Sequence, residues 1–377
     1  MKKKLMSTLG LILLTGCVFA SGCGDKDTET NDSTDSEATV ETENLADEET
    51  SVTAEAQEAG EENDEADTEA ESSDSAEAPT AMECMRAYQK FISGEGEVWF
   101  DAFGDDYKLT APSWYYNELG ECFPAGVPFM LTDVVDGLGT GVSEYFELEE
   151  EFEIGVGYTY IDCGKDDIPE LALNFTNVGG ESIDNNFILI LKLIDGKLQC
   201  VFQQEYGYRS FATLNGYGYC AYGGANGAGS SSVLYYNVDA DGQYHFLYGL
   251  NSAYSAYFLY IPDNEDYMDV AESEGIADNI EIEQYYFRLY DSEEDYGEYV
   301  KNCSYIYYPL SDMGDRLEGD RLSEALADGS YDRFWESTGL PLCSAQDLDE
   351  MIGDAESKAG LTDEMKESGE VSWISLN

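Results

Sequence analysis

The sequence predicts an α+β body, mostly an antiparallel β meander with flanking helices, preceded by a signal peptide and a disordered acidic linker. Three observations carry this. Short runs rich in Tyr, Phe, Ile, Leu and Val alternate with turn residues from about Phe152 to Leu310. Helical spacing of apolar residues is confined to the two ends of that region. Before it lie an apolar leader and a long acidic stretch without an aromatic residue. The strands are separated by turns and not by crossover helices, which argues against a parallel βαβ architecture.

The leader comes first. Lys2, Lys3 and Lys4 precede the apolar run Leu5 to Leu14, which is too short to span a bilayer, so residues 1–23 read as a signal peptide. It ends in Leu14-Thr15-Gly16-Cys17 and Ala20-Ser21-Gly22-Cys23. Both resemble the bacterial lipobox, whose cysteine is acylated and becomes the new N-terminus. Cys23 is the preferred lipidation site and Cys17 the alternative. Cleavage at Cys23 keeps Val18-Phe19-Ala20 inside the apolar segment and starts the polar tail directly after the lipid. Two or more acyl chains suffice for a stable membrane anchor.

Residues 24–80 carry 22 acidic side chains and one lysine. They cannot bury enough apolar surface to offset their ordering entropy, and like charges at i, i+4 oppose helix. As a coil this tether reaches about 40 Å. Fully extended it approaches roughly 190 Å.

Residues 81–377 form the body, with a candidate sub-boundary near 311 where a helical tail begins. Glu83 to Ile92 reads as a helix ended by Gly94, and Trp99 to Gly141 as loops and short pieces. Strands are expected at Gly157–Asp162, Glu170–Phe175, Phe187–Ile194, Gln199–Gln204, Ser210–Leu214, Gly218–Tyr222, Val233–Val238, Tyr244–Leu247 and Ala256–Ile261. Further strand text runs through Ile280–Tyr290 and Ser304–Leu310. Asp195-Gly196, Asn215-Gly216 and Asp239-Ala240-Asp241-Gly242 supply hairpin turns. A short turn is expected at Ser323–Ala327. Ser344 to Asp347 opens a helix carrying Leu348, Met351, Ile352 and Ala355 on one face, and Val371–Leu376 is a closing strand.

The 79 acidic against 18 basic side chains leave a net charge of −61. Counterion release by Lys and Arg drives nucleic-acid binding, so no nucleic-acid partner is expected. Anionic lipid headgroups would repel the body too.

The segment Asp162-Cys-Gly-Lys-Asp166-Asp167-Ile168-Pro169-Glu170-Leu171 resembles the acidic loop of FG-GAP and VCBS-type repeats and of clostridial and other Firmicutes surface lipoproteins. On that resemblance Asp162, Asp166, the Ile168 carbonyl and Glu170 would hold calcium, an ion that takes six to eight oxygens. A metal-free strand–turn–strand is the preferred reading of this loop, and calcium is the one candidate cofactor. The loop departs from the pattern at Gly164, where a side-chain oxygen belongs, and at Asp167, where a glycine belongs. Phe187–Lys197 and Val233–Gly242 resemble later hairpins of the same lipoproteins, a family with no agreed activity.

Tyrosines supply the candidate ligand contacts. Of 29, dense sets occur at Tyr254, Tyr257, Tyr260 and at Tyr285, Tyr286, Tyr290, Tyr296, Tyr299, Tyr305, Tyr307, Tyr308. A tyrosine ring stacks on the apolar face of a sugar, which makes Tyr285, Tyr286 and Tyr290 candidate glycan contacts. Tyrosine also simply suits half-buried strands. Gly223 to Ser232 has no lysine and leads into a strand, so it reads as a hairpin loop and not a phosphate loop. His245 is the lone histidine, which excludes a zinc site of the His-rich type; it reads as packing. With Cys23 acylated seven cysteines remain, Cys84, Cys122, Cys163, Cys200, Cys220, Cys303 and Cys343, without a CxxC pair.

The functional expectation is a lipid-anchored protein on the extracellular face of the cytoplasmic membrane. Its partners are the membrane, through the lipid, and cell-wall or environmental glycans, in a non-catalytic binding or envelope-associated role. The alternatives are an extracellular solute-binding lipoprotein and a cell-wall polymer hydrolase. No catalytic residue is assigned. Replacing Cys23 by Ala is expected to release the protein from membranes in a fractionation assay. If Cys17 carries the lipid, Cys17→Ala does so instead; a double variant that stays membrane-bound would refute acylation at either site.

Overall fold

A computed structural model describes residues 78–101, 123–148 and 152–376, without 181, 182, 184, 208, 228, 292 and 293. The leader with Cys17 and Cys23, the acidic stretch to residue 77, and Cys122 lie outside the described residues. Among the described residues, eight helices and thirteen strands make an α+β fold with two mostly antiparallel sheets. All the described residues fall within one compact unit, so the helical tail after residue 311 belongs to the same body. No helix among the described residues is long and apolar enough to cross a membrane.

Helix α1 (Ala81–Ile92) starts at a capping box. Thr80 Oγ1 accepts from the Glu83 N–H at 3.4 Å, and Glu83 Oε2 accepts from the Thr80 N–H at 2.9 Å. Its buried face is Cys84, Tyr88 and Phe91. The two-residue strands β1 (Val98–Trp99) and β2 (Pro128–Phe129) lead to helix α2 (Leu131–Phe146), where loops and short pieces were expected up to Gly141 and no helix. Gly137, Gly139 and Gly141 weaken the local helical propensity. Packing overrides it: Val134, Leu138 and Val142 are buried on the first sheet. Gly137 also has a tertiary use, since a Cβ there would fall 2.7 Å from Phe123 Cζ.

The first sheet contains β3 (Gly155–Ile161), β4 (Glu170–Val178), β5 (Asn185–Ile194), β6 (Lys197–Tyr206) and, at one edge, β13 (Ile374–Ser375). Its order is β13-β3-β4-β5-β6-β1-β2. The one departure from antiparallel pairing in it is β1 beside β6. The second sheet, in the order β12-β11-β10-β9-β8-β7, comprises β7 (Ser210–Leu214), β8 (Tyr219–Ala225), β9 (Ser230–Val238), β10 (Tyr244–Ala253), β11 (Ile280–Tyr286) and β12 (Ser304–Pro309). The Asp195-Gly196 turn joins β5 to β6, and Asp195 and Gly196 take the left-handed φ values of 50° and 76° that such a turn requires.

Strands β4 and β5 are covered on both faces, which explains their nearly unbroken apolar text. Leu171, Leu173, Phe175, Phe187, Leu189 and Leu191 point to α1 and α2. Ala172, Ile188 and Ile190 point the other way and meet Leu234, Tyr236 and Val238 of the second sheet. The outer face of that sheet is covered in part by the tail, where Leu247 meets Ala359, Leu361 and Met365.

Several expectations are corrected. Ala256–Ile261 is not a strand: a 3₁₀ turn occupies Ala256–Phe258, because Ser255 Oγ captures the Tyr257 N–H at 3.2 Å. The strand expected to reach Tyr290 stops at Tyr286, and Tyr296–Lys301 is helix α4, following α3 (Asp266–Glu274). The tail is more helical than expected, with α5 (Gly319–Leu326), α6 (Ser330–Thr338), α7 (Ala345–Lys358) and α8 (Asp363–Lys366). Among the described cysteines all six are free thiols, five of them buried.

Glu170 and Lys192 face each other across β4 and β5 at the sheet-to-sheet layer, next to the paired Leu171 and Leu191. Both are buried, and they form an ion pair; Glu170 Oε2 also accepts the Cys163 N–H at 2.7 Å. Burial raises the Glu170 carboxyl above its ordinary value despite the ammonium beside it. Lys192→Ala would strand a buried carboxylate and is expected to cost about 3–5 kcal/mol in urea unfolding. The double replacement Glu170→Gln, Lys192→Met should recover most of that loss; equal destabilisation of the two variants would contradict the pairing.

Candidate functional site

The acidic loop and the tyrosines were the expected sites, and the structure treats them differently. In the loop, Gly164, Lys165 and Asp167 adopt left-handed φ values of 74°, 60° and 65°. Asp162 Oδ1 accepts from the backbone N–H groups of Asp166 at 2.9 Å and Asp167 at 3.2 Å. Asp166 Oδ1 accepts the Ile168 N–H at 2.8 Å. Partial burial raises the Asp162 carboxyl, and the Asp166 and Asp167 carboxylates add to the rise. Lys165 pairs with Glu364 at 2.5 Å, and Tyr88 donates to the Pro169 carbonyl at 2.8 Å. Gly164 is required by contact: a Cβ there would lie 2.4 Å from the Ala240 backbone nitrogen of the facing turn.

This donor set does not fit calcium as arranged. Glu170 turns inward and spends one carboxylate oxygen on the Lys192 ammonium and the other on the Cys163 N–H. Asp162 and Asp166 satisfy the loop's own backbone donors, in the manner of an Asx turn. Among the described residues no three His, Cys, Asp or Glu side chains gather as a metal site.

Of the three tyrosines expected to contact ligand, Tyr285 is buried and donates to Glu283 Oε2 at 2.7 Å. Tyr286 is half-buried and packs into both the inter-sheet core and the α3–α6 core. A Cβ on Gly249 would sit 2.1 Å from its ring. Tyr290 is half-buried, donates to the Glu294 carbonyl at 2.8 Å and meets Tyr296 edge to face. None of the three presents a free ring.

The exposed rings belong to the other dense set. Tyr254, Tyr257, Phe258 and Tyr260 are 48%, 52%, 49% and 66% exposed. Between them Ser255, Ala256 and Leu259 are buried, so the short turn divides one face inward and one outward. The inner face is pinned. Ser255 Oγ donates to the Ala277 carbonyl at 2.7 Å, the Ala256 N–H donates to the same carbonyl at 2.9 Å, and Tyr267 donates to the Leu259 carbonyl.

The glycine-rich loop supports the outer face. Gly229 accepts the Tyr254 N–H at 2.9 Å, and a Cβ on Gly229 would fall 1.8 Å from Phe258 Cε2. Tyr254 and Ser231 hydroxyls lie 3.1 Å apart, and Tyr257 donates to Glu272 Oε1 at 3.3 Å. Tyr260 stacks on Tyr296 with ring centres 5.8 Å apart, so the platform continues toward Tyr290. Tyr254, Tyr257 and Tyr260 were visible in the sequence as a cluster, whereas Phe258 was not singled out. Its signal was the run Tyr257-Phe258-Leu259-Tyr260, which an amphipathic strand would not contain.

His245 is half-buried, and its Nε2 lies 2.7 Å from Asp239 Oδ2.

Because the acidic loop closes on its own hydrogen bonds, excess EDTA should leave the melting temperature within about 1 °C of its value in millimolar calcium. A rise of several degrees on adding calcium would restore the ion to this loop. Comparisons with family models, with curated proteins and with solved structures find no match to this chain.

Proposed function

We propose that the protein is a lipid-anchored cell-surface binding protein, held on the extracellular face of the cytoplasmic membrane and directed at neutral glycans. The observation that carries this is the row Tyr254, Tyr257, Phe258 and Tyr260, four large rings about half exposed or more on a pinned turn. Apolar surface of this kind on a soluble body marks an interaction site. Flat aromatic rings bearing hydroxyl groups suit the alternating apolar and polar surface of a sugar.

Charge narrows the class of glycan. The body from residue 81 carries 57 acids and 14 bases, and Glu272 lies within the platform itself. Anionic wall polymers would meet repulsion there, whereas neutral saccharides would not. The leader and acidic stretch supply the anchor and spacer of this proposal: two candidate acylation sites, followed by a chain that repels itself.

The double replacement Tyr257→Ala, Tyr260→Ala removes exposed rings only. It is expected to leave the melting temperature within about 2 °C and to weaken binding to neutral oligosaccharides on a glycan array about tenfold or more. A wild-type array without a neutral hit, or unchanged binding by the variant, would reject the proposal.

A further inference from the structure

A concave surface lies away from the platform. Helix α7 crosses the outer face of the second sheet without sealing it, and an open groove of about 400 Å³ runs between them. That is the size class of small-ligand pockets. The groove has a structural origin. The β9–β10 register shifts between Phe246 and Tyr248, a bulge that bends β10 and turns Leu247 toward Ala359. The apolar lining is Phe287, just past the end of β11, with Met351 and Ala355 from the helix; the Phe246 ring packs inward between the sheets on Tyr236 and Tyr286.

Two opposite charges line the same groove. Asp354 and Lys358 stand one helical turn apart, and among the described residues neither enters an ion pair. This matters in a chain with 79 acids and 18 bases, where a free lysine beside an apolar pocket is uncommon. The nearby Lys366 is committed to Glu356 and Asp363. A mutual Asp354–Lys358 contact would be weak on a solvated helix and easily displaced by a ligand. His245, oriented by Asp239, adds a polar group to the groove wall.

Spacing selects the ligand. The backbone positions of Asp354 and Lys358 lie about 6 Å apart along the helix axis. An extended dipeptide spans at most about 7 Å between its ends. A dipeptide therefore matches the spacing of the two positions, with one terminus beside each side chain. We infer that the groove binds an apolar dipeptide with free termini, its ammonium on Asp354, its carboxylate on Lys358 and its side chains against Phe287 and Met351. This site is independent of the aromatic platform.

Titration calorimetry on the full chain tests it, with Leu-Phe as the probe beside its N-acetylated and C-amidated forms. Leu-Phe is expected to bind with a submillimolar Kd, and each blocked terminus to weaken binding about tenfold. Asp354→Asn should erase only the discrimination against the acetylated form, and Lys358→Met only that against the amide. Ala355→Trp should fill the groove and abolish binding. If that variant fails to fold, the two surface replacements decide the matter alone. The Tyr257→Ala, Tyr260→Ala variant should bind Leu-Phe as the wild type does, which separates this site from the glycan proposal. Absence of heat up to about 10 mM Leu-Phe, or equal affinity for the blocked peptides, would overturn the inference.

Discussion

A buried ion pair sets the relation between the two sheets. Glu170 and Lys192 occupy the layer where β4 and β5 face the second sheet, on the same strand faces as Ala172, Ile188 and Ile190. A charge in that layer must be matched, so β4 and β5 can pair there in only one register. The same carboxylate holds the Cys163 N–H and thereby the start of the acidic loop. The loop rests on the β9–β10 turn through Gly164 and Ala240, and Gly242 of that turn lies against the Lys192 side chain. One pair of charges thus connects a strand register, a loop conformation and the contact between sheets.

The aromatic platform rests on a different arrangement. Its outward rings depend on a row of small or short inward residues, Ser255 and Ala256, whose hydrogen bonds end on Ala277. Because the backbone is held from inside, the rings keep their positions without having to pack on one another. Pre-organisation of this sort lowers the ordering cost of binding, which is the main obstacle to affinity on an open surface.

The strands were legible because their chemistry is local. Asp195-Gly196 marks its hairpin, and the run Phe187–Leu191 announces a strand covered on both sides. Helix α2 was hidden by three glycines, and for one of them the reason is tertiary: Gly137 makes room for the Phe123 ring, fourteen positions earlier in the chain. The candidate site was legible as composition and not as placement. Tyr285 and Tyr260 sit in similar text, yet one donates to Glu283 inside the body and the other is the most exposed of the platform rings. Glu170 was misread for the same reason, since its partner Lys192 lies 22 residues away and meets it only across paired strands.

Two-sided burial of β4 and β5 has a consequence for how the body comes apart. Neither layer, α1 with α2 or the second sheet, can leave without uncovering a hairpin that contains Phe187-Ile188-Leu189-Ile190-Leu191. Five consecutive apolar residues of high strand propensity, bare in water, form a template for association between chains. Opening of these layers on heating therefore uncovers a surface that favours association between chains over return to the folded state.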